Sequence, residues 1–487
     1  MRRRRAGRCG GGASNSESSA VETKRWGRRP PWSTRPDFTL PDHCLALFGM
    51  LRRASSRVVP ILPLVRNVMI RAIAPVLTLL ISTALLLMGN GLQGTLLPVR
   101  GELEGFSPMA LGILGSSYFV GFAAGCFGGP RVIARAGHVR AFAAAVAIAS
   151  AVVLAHAVTM NPAVWWILRA ITGACFATLF MIIESWLNEK STNEDRGLVF
   201  SLYTIIQLTV ITLGQLMLMT AEPEDFPLFS VASILISLSA VPLALTRASV
   251  PEPIEATRID FRRLYQASPI GVVGCLIVGL TNGCFWSLAP LFVQSGGGEA
   301  GDVAIFMSAT VIGGAIGQWP LGRLSDRIDR RRVIQAAGLG AAIAGASLAW
   351  FIESSTTMVL ASGVAYGVFA FPLYAISVAH TNDFVAPEGY VQAASGLLLV
   401  FALGAVVGPV AASALIANWG AESLFLLTAA IHATFVLYVT ARMPLRKRPV
   451  EDDRIAFSES ILVSTTTSTV DPLMLDPQET TAPDSKD

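Results

Sequence analysis

An all-α membrane protein of about twelve transmembrane helices is what this 487-residue chain predicts, and three observations carry the prediction. Hydrophobic residues make up 53% of it and charged ones only 14%, whereas a soluble domain carries about 25% charged residues. The apolar residues gather into runs of roughly 20, the length a helix needs to cross a hydrocarbon core, and lipid leaves backbone groups no partner outside a helix. The runs also repeat: related residues recur 192 to 194 positions apart, as with Asn90 and Asn282.

Residues 1–68 stand apart. They open with RRRR and continue through Gly, Ser, Pro and scattered charge with no sustained apolar period, the composition of a disordered basic extension. Met69 directly precedes the first long apolar run, so the functional chain is expected to start there, with the upstream part an over-extended start.

Windows of about 19 residues place spans near 72–98, 107–128, 139–159, 163–185, 198–220 and 227–247, then 269–293, 303–323, 333–352, 357–379, 391–417 and 421–441. Arginine and lysine fill alternate connections: Arg131, Arg135 and Arg140; Lys190 and Arg196; Arg247, Arg258, Arg262 and Arg263; then Arg323 to Arg332. Acidic residues such as Glu102, Glu224, Glu299 and Glu422 fill the others. Short basic connections stay cytoplasmic, so both termini are expected there. The domain reading is an N-terminal six-helix half over 69–247, a cytoplasmic linker at 248–268, a C-terminal half over 269–442 and a disordered cytoplasmic tail at 443–487.

The repeat turns a count of helices into an architecture. NGLQGTLLP, from Asn90 to Pro98, aligns with NGCFWSLAP, from Asn282 to Pro290; Arg135 and Gly137 align with Arg327 and Asp329; Gly173 aligns with Gly367, and Asn188-Glu189 with Asn382-Asp383. Two six-helix halves of the same orientation form a parallel repeat about an axis along the membrane normal.

Between the eighth and ninth spans lies GRLSDRIDRRR, Gly322 to Arg332, with five arginines. It reads as a tight charged turn at the membrane surface. Its order of Gly322, Asp326, Arg327 and the basic pair Arg330-Arg331 resembles the loop joining helices two and three of each half in the major facilitator superfamily, although Asp329 stands where that family usually has Gly. In the N-terminal copy, GPRVIARAGHVR, Ala134 replaces the Asp. IESWLNEKSTNEDRG from Ile183 and AHTNDFVAPEGYVQAASGLLL from Ala379 are similar to a bacterial, YcaD-like branch of the superfamily. The resemblance covers about residues 70–442 and implies a major facilitator fold of two pseudo-symmetric halves.

It further implies a cytoplasmic latch of Gly322, Asp326, Arg327, Arg330, Arg331 and Asp383 that favours the outward-facing state. Asp326 is expected against the positive N-terminus of the fifth helix near Gly197, and an arginine of the cluster is expected to reach Asp383. Charged residues beside membrane helices also serve simply to set topology.

Candidates for the cavity lie on the helices that line it in this fold: Asn90 and Gln93 on the first, Arg169 on the fourth, Asn282 and Trp286 on the seventh, Tyr374 and Ser377 on the tenth. Buried amides and hydroxyls also bind helices to one another, and Arg169, near the outer face, could snorkel to the interface. Glu184, deep in the fourth span, is a coupling candidate, as is His380, which is equally readable as a solvated interface histidine. Of six cysteines, Cys126, Cys175, Cys275 and Cys284 fall in apolar spans, and no CxxC occurs, so no zinc site or disulfide framework is indicated. No GxxxxGK[ST], HExxH or GxSxG occurs, which leaves no cradle for nucleotide phosphates and no hydrolytic site.

The chain is therefore expected to be no enzyme and to need no cofactor or metal. Its expected role is a gradient-driven, alternating-access transporter of a small organic solute, monomeric in a bacterial inner membrane, with no nucleic-acid partner. A solute sensor that kept the fold and lost transport is the competing class.

Overall fold

The computed structural model describes residues 76–191, 195–245, 260–352, 355–386 and 389–445. The expectations for residues 1–68, for most of the linker and for the tail beyond 445 fall outside them. Among the described residues twelve helices are long and apolar enough to cross a membrane. They are α1 (Leu77–Leu103), α2 (Pro108–Ala136), α3 (His138–Val158), α4 (Pro162–Lys190), α5 (Arg196–Leu216) and α6 (Phe226–Ala244). The second set is α7 (Pro269–Ser295), α8 (Ala300–Arg327), α9 (Arg330–Phe351), α10 (Thr356–Asn382), α11 (Tyr390–Trp419) and α12 (Ser423–Arg442). A short surface helix, Phe261–Ala267, precedes α7.

Local chemistry sets the helix starts. Ser107, Asn161 and Ser268 each accept from a backbone N–H of the first turn, and each is followed by a proline at the first helical position, where the missing N–H would have had no partner anyway. The helices outrun the apolar windows. α1 continues through Pro98 to Leu103, and α8 runs through Gly322 and Asp326 to Arg327 before α9 begins at Arg330. The stretch 322–332 is thus two helix ends joined by Ile328 and Asp329 rather than a turn throughout. Hydropathy falls where charge begins, but arginine is a good helix former and the helix has no reason to stop there.

Within each half, glycines let pairs of helices touch backbone to backbone, and the same contacts recur in both halves. A Cβ on Gly121, Gly125 or Gly173 would collide with α2–α4 neighbours at the carbonyls of Ala170, Ala174 and Tyr118. On α8 and α10 the equivalents are Gly313 at Val364, Gly317 at Val368 and Gly367 at Thr310. Gly91 against Ile211 and Gly214 against Met88 join α1 to α5 just as Gly283 against Ala405 and Gly408 against Leu280 join α7 to α11. Close backbone approach of this kind lets dispersion hold helices together where lipid removes the hydrophobic drive.

The halves meet through a contact that the repeat also doubles. Ser116 Oγ of α2 donates to the Val406 carbonyl of α11 at 2.6 Å, and Ser308 Oγ of α8 donates to the Thr212 carbonyl of α5 at 3.4 Å. Each serine lies eight residues into its helix, about 12 Å from the side opposite the arginine clusters. Gly112 packed on Ser413 and Gly115 on Ser287 reinforce the same region.

Candidate solute cavity and charged network

A cavity of about 200 Å³ lies between the halves beside those contacts, its wall running from Leu111 and Pro98 near the outer ends of α2 and α1 to Asn90 at the middle of α1. Asn90 stands at the middle of α1, and Gly94 and Leu97, on the same face as spacing of three and four requires, complete that wall. α2 adds Tyr118 and Phe119, α7 adds Trp286 and Ser287, and α4 adds Arg169. Phe371 stacks on Trp286, with ring centroids 6.0 Å apart and planes at 21°, and holds that indole in place.

Arg169 does not snorkel. Its Cα lies seven residues inside α4, about 10 Å from the end of the helix, and helical Cβ atoms tilt towards the N-terminus, which here is outward. The guanidinium instead sits 4.6 Å from the centre of the Tyr118 ring, and its Nη2 is 4.0 Å from where a Cβ on Gly94 would stand. Tyr118 is ten residues into α2 and Gly94 nine residues from the end of α1, so both lie deeper than the Arg169 backbone, by roughly 3–5 Å. Its Nη1 is shielded from solvent and has no hydrogen-bond partner among the described residues. Arg169 is also the one charged residue lining the cavity.

At the arginine-rich side a network closes the end of α8. Arg330 is buried; its Nε donates to Asp383 Oδ2 at 2.9 Å and its Nη1 to Ser325 Oγ at 3.1 Å, with Asp326 Oδ1 3.4 Å away. Ser325 Oγ in turn donates to the Gly322 carbonyl at 2.7 Å. Asp329 caps α9 by accepting from the Arg331 N–H at 3.0 Å, and the Arg331 side chain returns to the same carboxylate at 2.8 Å and to the Met443 carbonyl at 3.2 Å. Arg327 is exposed.

Solved structures share this arrangement of helices. A point mutant of the nucleoside transporter NupG superimposes with a TM-score of 0.66 at 14% identity, over 75% of this chain and 99% of that one. A bacterial homologue of the human lysosomal transporter Spinster, in an inward-facing and occupied conformation, gives 0.61 at 18%, over 77% and 97%. The family profile described as Major Facilitator Superfamily matches residues 271–473. Full-length relatives include the MFS-type transporter YcaD of Escherichia fergusonii, 26% identical over 77% of this chain and 98% of that protein. YcaD of Escherichia coli O17:K52:H18 is 27% identical over the same shares.

The chain has the major facilitator fold. Like its YcaD-type relatives it has the build of a transporter and not of an enzyme.

The major facilitator scaffold distributes the sequence candidates unevenly. Asn90, Arg169 and Trp286 line the cavity; Gln93, Asn282, Tyr374 and Ser377 do not. Gln93 shares a face with Gly89, which packs on Ala232 and Ile236 of α6, so it points into the N-terminal half. Tyr374 turns its ring onto Phe401 of α11, centroids 5.2 Å apart. Ser377 is wedged against Gly274 of α7. Asn282 sits one turn nearer the arginine-rich side than Trp286.

Glu184 is buried and accepts from Tyr203 Oη of α5 at 3.4 Å. His380 is buried beside Phe384 rather than solvated, and lines a separate pocket of about 220 Å³ with Arg331 and Arg442. At the first turn of α5 a Cβ on Gly197 would meet nothing within 4 Å, and an α5–α8 hydrogen bond, Ser308 to Thr212, lies at the other end.

Sequence reasoning missed Tyr118, Ser287, Ser116 and Ser308. One signal was available for the cavity itself: at the repeat offset Gly94 stands where α7 carries Trp286, so the N-terminal half has space where the other has an indole.

Proposed function

We propose that this chain is a secondary carrier that moves a small organic solute across a bacterial inner membrane, as a monomer, by rocking its two halves about the central cavity. The arginine-rich side, with both termini, is the cytoplasmic one, because short basic connections are retained there. The observation that carries the reading is the pair of serine contacts, Ser116 to Val406 and Ser308 to Thr212. They join the halves at two symmetric points beside the central cavity, in the outer part of the helices, which is the contact a rocker closed to the outside requires. One neighbour in fold is described as inward-facing, which agrees with that assignment.

In this cycle the network of Gly322, Asp326, Arg327, Arg330, Arg331 and Asp383 is the cytoplasmic latch. It includes the pairs Arg330–Asp383 and Arg331–Asp329 within the C-terminal half, and Asp326, 35% exposed, is the group that meets α5 when the cytoplasmic side closes. Glu184 and His380, ionisable groups buried near the same side, are the places where proton movement can couple to the cycle.

Spin labels test the rocking without knowledge of the solute. Pairs at Arg140 and Arg332 report the cytoplasmic ends of the two halves, and pairs at Glu224 and Asn418 the outer ends. Two populations whose distances change in opposite senses, shifted by Asp326→Asn, are the expected result. One fixed distance on each side in both proteins overturns alternating access.

A further inference from the structure

We infer that the solute is a small organic monoanion, a monocarboxylate with a flat apolar body, whose charge is neutralised by Arg169. This rests on the reading of the central cavity as the solute site.

The argument begins with an imbalance of charge. Arg169 keeps its guanidinium at membrane depth, turned inward over Tyr118, with Nη1 unpartnered and no acidic residue anywhere on the cavity wall. Glu184 of the same helix is 15 residues away, about 22 Å along the axis; Glu104, at the end of α1, is bound to Arg100; and Glu102, with Oε2 unpartnered among the described residues, is eight residues beyond Gly94, about 12 Å along α1 towards the outer end. Arg169 is half-buried with Nη1 shielded, and an ion partly withdrawn from bulk water is disfavoured without a counter-charge, as a buried charge is when its partner is removed. Tyr118 offsets only part of this, since a cation over an aromatic face contributes about 0.5–2 kcal/mol. The missing partner is therefore an anion that enters the cavity.

The repeat shows that this charge is a local addition. Positions related to Arg169 and Tyr118 by the repeat are Gly363 and Thr310 in the C-terminal half, where a Cβ on Gly363 would meet the Phe306 ring and the Thr310 hydroxyl. That half is packed solid where the N-terminal half has a guanidinium and a space. Gly94 makes the space, standing where α7 bears Trp286.

The rest of the wall defines the body of the ligand. Tyr118, Phe119 and Trp286 offer rings, Leu97, Leu111 and Leu114 are apolar, and Asn90, with Oδ1 unpartnered, Thr95 and Ser287 add neutral polar groups. A volume of about 200 Å³ lies below the ~300–1,000 Å³ of drug-sized sites, so a single-ring acid fits the space and a larger one does not. One cation balances one negative charge; a dianion would bring its second charge into a wall that cannot answer it.

The test uses the purified full-length protein in detergent and compares thermal stabilisation by benzoate, benzamide, benzylammonium, phthalate and chloride, since a ligand that binds only the folded state raises the melting temperature. Benzoate is expected to stabilise and the other four are not. Arg169→Gln should weaken half-saturation by benzoate about 30-fold or more, the loss expected when one partner of a buried charge pair is truncated, and Arg169→Lys should restore part of it. Without ligand, Arg169→Gln should melt higher than the parent, because an uncompensated charge has been removed; a lower melting temperature would mean that the guanidinium serves packing, and would refute the inference.

Stabilisation by benzamide or chloride equal to that by benzoate, an unchanged benzoate response in Arg169→Gln, or no response to benzoate up to its solubility limit each overturns it too. Flux is read separately, as uptake of labelled benzoate into proteoliposomes. Binding without flux refutes carriage and leaves the anion site standing, whereas flux of a neutral solute with no carboxylate binding does the reverse.

Discussion

The link from α2 to α3 and the link from α8 to α9 perform the same topological task with different chemistry. In the N-terminal half α2 ends at Ala136 and α3 begins at His138, joined by Gly137 at φ +79°, a left-handed conformation that glycine adopts without strain. His138 is buried there against Trp186, ring centroids 5.8 Å apart. In the C-terminal half the equivalent positions are Asp329 and Arg330. The aspartate uses an ordinary backbone conformation, φ −60°, and caps α9 with its side chain, while the arginine reaches Asp383.

One half thus holds its end by backbone freedom and ring packing, the other by ions. Ring contacts change little when a neighbour moves, whereas an ion pair can be exchanged for another partner as the surroundings change. The asymmetry places the exchangeable ion pairs in the C-terminal half.

The largest effect should come from Asp383→Asn. Arg330 and Asp383 have side chains only 1% and 2% exposed, and breaking a buried pair by removing one member costs about 3–5 kcal/mol; chemical unfolding of the detergent-solubilised protein measures it, and a loss below ~1 kcal/mol, the ceiling for an exposed pair, would break the comparison. Next come Gly173→Ala and Gly367→Ala. Each forces a Cβ onto a carbonyl of the neighbouring helix, and overpacking of this sort costs roughly 1–3 kcal/mol. The two should destabilise by similar amounts in the same assay, and an effect in one half alone would contradict the structural equivalence of the repeats.

His138→Ala should cost less, about 0.5–1.5 kcal/mol for the lost ring contact, and should leave the spin-label populations unshifted. Asp326→Asn, at a 3.4 Å contact with a partly exposed carboxylate, should change stability by no more than ~1 kcal/mol yet cut flux severely, read as uptake into proteoliposomes. Smallest of all, Ala134→Asp restores the carboxylate that the N-terminal link lacks but gives it no buried arginine partner. It should alter stability within about 0.5 kcal/mol, as an exposed substitution does, and leave flux as it was.

Much of the framework was readable from the chain in one dimension. The glycines of Gly121-x-x-x-Gly125 and Gly313-x-x-x-Gly317 mark close helix approach by their spacing alone, and they pack on α4 and α10. The offset from Asn90 to Asn282 carries over to Ser116 and Ser308, whose contacts join the halves. Less of the site could be read. Asn90, Gln93, Asn282, Tyr374 and Ser377 are all polar residues in apolar helices, and composition does not separate Asn90, which lines the cavity, from the others, which do not. That depends on how each helix is rotated against its neighbours, which for α1 follows from Gly89 and Gly91 nesting on α6 and α5.

By itself the sequence determined the number of spans, their order and the duplication, because a bilayer demands an apolar run of fixed length and a repeated chain repeats its contacts. Only the tertiary structure decided that Ser116 meets Val406 and Ser308 meets Thr212, that Asp383 lies against Arg330, and that Arg169 turns over Tyr118. These are matters of distance between segments far apart in the chain: a guanidinium at one position can reach water or a buried ring with almost equal ease, and the choice is made by the space that Gly94 leaves beside it.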